Sequence, residues 1–281
     1  IDTDYSIIGG FNNDTSAYHS SLLVGTKNYG RGVGNIIGGE SNTVENNSSS
    51  YNLIGGFKNT VSSTSNLVVG TSNTVKSTTK GNIVGGNNNN IDVAANENNI
   101  ISGVGNDIFV GSDNIVIGNQ INVGILSNTS SKIARSIIVG QNHSVGTFSS
   151  SGVAAKSNMA IFGSSNSARG NNTFVAGANN SGFADNAIVL GNGNSSGGVA
   201  SGENKVIQIG FSIQPNSQSD YLAIGYGMSA LPTTAVDNNN VANKYTAIGR
   251  NPDNNVDYDL SSLDPVSFIV GAGTQQNYRR T

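Results

Sequence analysis

The sequence predicts an all-β solenoid of short, stacked parallel coils. Three observations carry that expectation. A short apolar run ending on glycine recurs along the whole chain, and many intervals between those glycines are 14 or 15 residues. The composition is the third: 37 Gly, 44 Asn and 38 Ser fill about 42% of the 281 positions, leaving 6% aromatic and 11% charged residues. Such a chain has too few large apolar side chains for an ordinary globular core to offset chain entropy. With 36% hydrophobic residues and a net charge of −3, it is also too apolar and too weakly charged for a disordered chain. A thin, repeated core satisfies both constraints.

The apolar run opens each unit. It reads IIGG at Ile7–Gly10, LLVG at Leu22–Gly25, IIGG at Ile36–Gly39 and LIGG at Leu53–Gly56. It then recurs to Gly70, Gly86, Gly103, Gly111, Gly118, Gly140, Gly163, Gly177, Gly191, Gly210, Gly225, Gly249 and Gly271, seventeen anchors in all. Gaps of 22 to 24 after Gly118, Gly140, Gly225 and Gly249 read as coils carrying surface insertions. The steps of 8 and 7 through Gly103, Gly111 and Gly118 imply that one of these is not a separate turn.

Ile, Val and Leu favour strands. Side chains alternate along a strand, so three adjacent apolar residues mean that both faces are buried. A thin coil has only one inside, and the most economical cover for the other face is an identical chain. The run therefore predicts a solenoid that is also an oligomer.

The corner follows the strand. Gly tolerates left-handed backbone angles and Asn is the next most permissive residue. Asn stands three residues past the anchor at Asn13, Asn28, Asn42, Asn59, Asn73, Asn89, Asn166, Asn180 and Asn194. Stacked coils place these amides in ladders able to bond along the axis. A second short strand comes next, marked by Val44, Val61, Val75, Ile91, Val123, Val145 and Ala168. A polar return then closes the coil. Sixteen or seventeen coils at about 4.8 Å each predict a rod on the order of 80 Å long.

Several function classes fall away. Fourteen Lys and Arg against 17 Asp and Glu give no basic surplus for nucleic acid. No stretch approaches the roughly 20 apolar residues of a membrane helix, and Ile1 opens no signal peptide. Zero Cys excludes disulfides and thiolate chemistry. No apolar run contains Asp, Glu, Lys, Arg or His, so the repeat carries no acid–base machinery; no catalytic residue, metal or cofactor is expected.

Runs such as NAIVLGNGNSS (Asn186–Ser196) and YLAIGYGMSA (Tyr221–Ala230) resemble the YadA-like heads of trimeric autotransporter adhesins. The ending VSFIVGAGTQQNYRRT (Val266–Thr281), with Arg279 and Arg280, resembles the start of the neck that follows such heads. The resemblance implies a left-handed parallel β-roll forming a homotrimer. Residues 1–266 would be the head with its insertions, and residues 267–281 the last coil and start of the neck. It also implies a Gram-negative surface protein with stalk and membrane anchor C-terminal to this chain. Its partners would be host matrix, host-cell receptors or other bacteria, bound multivalently and without turnover. Asn in many turn positions, a Gly-Gly pair in four of the first six coils and long insertions depart from the tidiest members.

Ligand contacts are expected in the insertions Ile121–Arg135, Gly146–Asn158, Leu231–Tyr245 and Asn251–Pro265, because loops on a rigid scaffold vary freely. Candidate anchors are Tyr18, His19, Phe148, Tyr245 and Tyr258, with core packing the competing reading for the aromatics. His143 occupies the slot that Asn fills in other coils and reads as its substitute. Asp253, Asn255, Asp257, Asp259 and Asp264 faintly resemble a calcium loop, but Tyr258 stands where Gly is needed and Asp264 where a bidentate Glu is needed. GNGNSSG at Gly191–Gly197 lacks the following helix of a phosphate loop.

An alternative function is a phage tail fibre or tailspike, for which a glycan-cleaving form would show paired carboxylates. An ice-binding solenoid ranks last, because Thr15, Thr26, Thr43 and Thr60 look scattered over different registers.

Overall fold

The computed structural model describes residues 6–15, 21–76, 79–124, 133–146, 156–196, 205–213, 221–227, 244–250 and 266–271. The described elements are all strands, and they form a parallel β-solenoid. The chain divides into two compact units, Ile1–Ala155 and Lys156–Thr281.

Among the described residues of the first unit, nine five-residue strands stack in parallel and in chain order, from Ile7–Phe11 to Ile137–Gln141. Their register aligns the anchors, so Gly39 pairs Gly56, Gly56 pairs Gly70 and Gly70 pairs Gly86. A second parallel sheet runs beside it, built from short strands such as Thr43–Val44, Thr60–Val61 and Thr74–Val75. In the second unit, seven long strands stack from Ala160–Ser164 to Val266–Gly271, with the short strands Ser167–Ala168 and Ser181–Gly182 paired beside them.

The core lies between the two sheets of each coil. The middle residue of the apolar run points inward: Leu23, Ile37, Ile54, Val68, Val84, Ile101, Val116 and Ile138 are all buried. The second short strand anticipated at Val44, Val61, Val75, Ile91, Val123 and Val145 answers it, and these residues, with Ile108, are also buried. In the second unit Ile161, Val175 and Val189 form the buried central row, and then Gln208 takes the same place, fully buried. The Gln208 amide donates to the Ser195 carbonyl at 2.8 Å, which keeps a polar group tolerable in that row.

Two sequence expectations resolve here. Gly103 pairs Gly118 in the long-strand sheet, whereas Gly111 lies in the other sheet, in Asp107–Ser112. Gly111 is therefore the anchor that is no separate turn. The threonines need correcting. Thr43 pairs Thr60 and Thr60 pairs Thr74, so these three share one register on the short-strand sheet. Variable return lengths between coils hid that alignment.

Candidate interaction face

Alternation along each long strand puts the central residue inside and its neighbours outside. Many of the outside neighbours are as apolar as the core, while Gly9, Gly38, Gly55, Gly85 and Ser102 take one of the two places in their coils. Exposure is 48% at Ile36, 47% at Leu53, 49% at Val24 and Val69, and 36% at Phe162. Ile83, Ile100, Ile117 and Ile137 extend this surface in the first unit, and the second unit has its own apolar surface at Phe162, Phe174, Ile188, Ile207 and Ile209. In the second unit two pairs of rings touch on it: Phe162 with Phe174 at 5.9 Å between centroids, and Phe211 stacked on Tyr226 at 5.1 Å.

The residue after the anchor is mostly polar in the first unit, as at Thr26, Glu40, Thr71, Asn87, Asn119 and Gln141. The face thus has an apolar middle and a polar margin. Single exposed apolar residues are ordinary, but a contiguous apolar strip of this kind marks an interaction surface.

Glycine and left-handed residues form the corners beside this face. The anchor glycines take positive φ, +107° at Gly56 and +124° at Gly70, and a Cβ on Gly70 would sit 2.0 Å from the Gly86 carbonyl oxygen. The residue two past each anchor is left-handed as well, Lys58 at φ 56° and Ser72 at 55°. The next residue is the Asn of the ladder. Asn59 is fully buried, and its amide lies within hydrogen-bond reach of Gly55 and Gly70 carbonyls at 2.9 Å and of Asn42 Oδ1 at 3.0 Å. Its own Oδ1 accepts from the Asn73 backbone N–H at 3.0 Å. Each Asn thus joins its own corner to the coils on either side.

A second buried row was not read from the sequence. Asn35, Asn52, Asn66, Asn82, Asn99 and Asn114 stand immediately before the long strands and repeat the same scheme, as where Asn66 Nδ2 meets Asn52 Oδ1 at 3.0 Å. His143 takes the first-row slot, buried, with Nε2 3.1 Å from the Val139 carbonyl oxygen, the bond Asn73 makes to Val69. The substitute role expected of His143 is the one it fills. Gly191 to Ser196 likewise belong to an ordinary coil, with Asn194 in the ladder.

Lys76 pairs Asp92 at 2.9 Å and Lys80 pairs Glu97 at 3.3 Å. Ser62 Oγ donates to Glu45, and Arg31 donates to the Tyr29 hydroxyl at 2.6 Å. Burial raises the Asp107 carboxyl above its ordinary value; Asp92 adds to that rise, while a hydrogen bond with Asn90 and the charge of Lys76 oppose it. Burial also lowers the Arg169 guanidinium, which packs 4.4 Å from the Phe183 ring centroid. Among the described residues no three His, Asp or Glu side chains gather to hold a metal ion.

Of the candidate anchors, Tyr18, His19, Phe148 and Tyr258 lie outside the described residues, as does the run from Asp253 to Asp264. Tyr245 falls in the strand Lys244–Arg250, in register with Tyr221. Each unit carries an apolar outer face on its long strands, anticipated from the runs of three. No family model, curated protein or solved structure matches the chain.

Proposed function

We propose that this chain is the head of a bacterial surface adhesin, a left-handed β-roll whose copies associate in threes through the outer face of their long-strand sheets. One observation supports the reading above all others: Ile36, Leu53, Val69, Ile83 and Ile137 stand 44–49% exposed in single-file rows on a rigid sheet. Fully burying such a side chain is worth about 1.5–3 kcal/mol, so covering half of each along the stack is a large driving force. Three copies around one axis cover all three faces at once and close the assembly. Residues 267–281 then lead toward a neck.

Adhesion fits this arrangement better than turnover. Binding to host matrix, host cells or other bacteria comes from surface loops repeated on each copy, so avidity multiplies weak contacts. The head acts at the outer surface of a Gram-negative cell, linked to the membrane through stalk and anchor segments of the parent protein.

Sedimentation equilibrium tests the assembly: three chains per particle are expected, and a chain that stays single at every concentration removes the basis of the proposal. A binding screen over matrix proteins, host-cell glycans and whole bacteria tests adhesion. Association into trimers without affinity for any of them would leave a structural fibre instead.

A further inference from the structure

Within the apolar face, one position follows a pattern that the single chain does not explain. The residue just before the anchor is Gly9, Gly38, Gly55 and Gly85 in four coils, but Val24 and Val69 in two others. The four glycines have ordinary extended backbone, absent from the positive-φ residues. A Cβ on Gly9, Gly38 or Gly55 would meet nothing within 4 Å, and one on Gly85 only the Ile101 carbonyl oxygen at 4.0 Å. Glycine weakens a strand interior and is found there where another backbone or a ligand approaches closely. Here nothing in the same chain approaches.

The residue after the anchor varies in the opposite sense. It is Phe11, Glu40, Phe57 and Asn87 where the earlier position is Gly, and Thr26 and Thr71 where it is Val. Each of these six coils therefore carries either a hollow with a bulky neighbour or a filled site with a small one; farther along, Ile117 precedes Asn119 and Val139 precedes Gln141, so the exchange belongs to the coils from Ile7 to Asn87. The hollow at Gly55 stays open in the single chain, so Phe57 does not fill it from its own strand.

Building on the self-association reading above, we propose that these glycines are sockets for the bulky residue of the same coil in a neighbouring copy, and that this size alternation sets the axial register of the assembly. Around an axis parallel to the stack, rotational symmetry brings identical coils to the same height. Gly55 of one copy then faces Phe57 of the next, and Val69 faces Thr71. A slip of one coil would press Phe57 onto Val69 and leave Thr71 over the empty site at Gly85. Close packing penalises both the overlap and the void, so the in-step arrangement is selected.

The test compares three forms of the chain by sedimentation equilibrium, with circular dichroism as the fold control. Gly55→Val fills the socket from a Cβ position with no atom of its own chain within 4 Å, and Val69 already holds the equivalent place, so strand content is retained while association weakens at least about tenfold, the effect of one overpacked contact. Adding Phe57→Thr converts Leu53–Phe57 to the pattern of Leu67–Thr71 and restores association. If wild-type chains associate and Gly55→Val associates equally well, the socket pairing is wrong while the trimer reading stands. If the double variant stays as weak as Gly55→Val, the pairing with Phe57 is also wrong. A wild-type chain that never associates overturns both.

Discussion

Gly70 and Gly38 show how little a residue's type says without its place. Gly70 has φ +124° and its missing Cβ leaves room for the Gly86 carbonyl, 2.0 Å away from where that atom would be. Gly70→Ala is therefore expected to cost about 3 kcal/mol or more, read from urea unfolding of dilute protein. Gly38 has neither constraint, so Gly38→Ala in the same assay should be neutral or stabilise the single chain by up to about 1 kcal/mol. Asn59→Ala would leave the Gly55 and Gly70 carbonyls and the Asn73 N–H without their buried partner, at about 1–3 kcal/mol for each group that water cannot reach. Asp107 runs the other way. Its folded carboxyl holds a proton more tightly than the unfolded one, so its contribution is greatest below the ordinary carboxylate range and is lost as pH rises through the raised value. Asp107→Asn should then gain stability over wild type at pH 7 and show no gain at pH 3, a difference that denaturant midpoints at the two pH values measure. The first Asn row was legible because it lies at a fixed distance behind the glycine. The second was not, since Asn35 follows Gly25 by ten residues but Asn52 follows Gly39 by thirteen. Its register is set by the strand ahead, and the return between them varies in length.

Within a strand, alternation divides one apolar run into two jobs. Ile54 is 1% exposed and Leu53 is 47% exposed, although both are large, aliphatic and adjacent. Leu53→Lys should leave the coil intact, because a lysine stem can lie along the sheet with its charge in water. It should also abolish association, because a trimer would gather three buried ammonium groups at one height. Ile54→Lys should instead destroy the coil. Circular dichroism separates the two variants, and light scattering shows the loss of association in the first. Equal association of Leu53→Lys and wild type would mean that this face is not the contact. That the runs of three apolar residues have two apolar sides was readable from the sequence, because period-two geometry leaves no other arrangement. The Gly–Phe and Val–Thr exchange was not, since its meaning depends on which side chains share a face and on finding the space above Gly55 empty.

For the whole molecule, the two demands on the sequence meet in its concentration dependence. A coil this thin buries one central row on its long strand and one on its short strand, so the outer rows hold the largest apolar surface still available to lower the free energy. If copies cover it, folding and assembly are linked by mass action: anything that binds the folded chain stabilises it. Each tenfold rise in concentration adds about 1.4 kcal/mol per association step. Three chains joining in two steps share that gain, giving roughly 0.9 kcal/mol per chain, or about 2 °C in the unfolding midpoint for a chain of this size. Thermal unfolding followed by circular dichroism across a hundredfold range of concentration should therefore shift upward by about 4 °C. The same series with Leu53→Lys should be flat, because that variant keeps its coils and loses its neighbours. A flat wild-type series would mean that the coils are stable with their outer isoleucines and valines in water. In that case the two-sided apolar run would have no thermodynamic reason, and the sheet would need another partner to account for it.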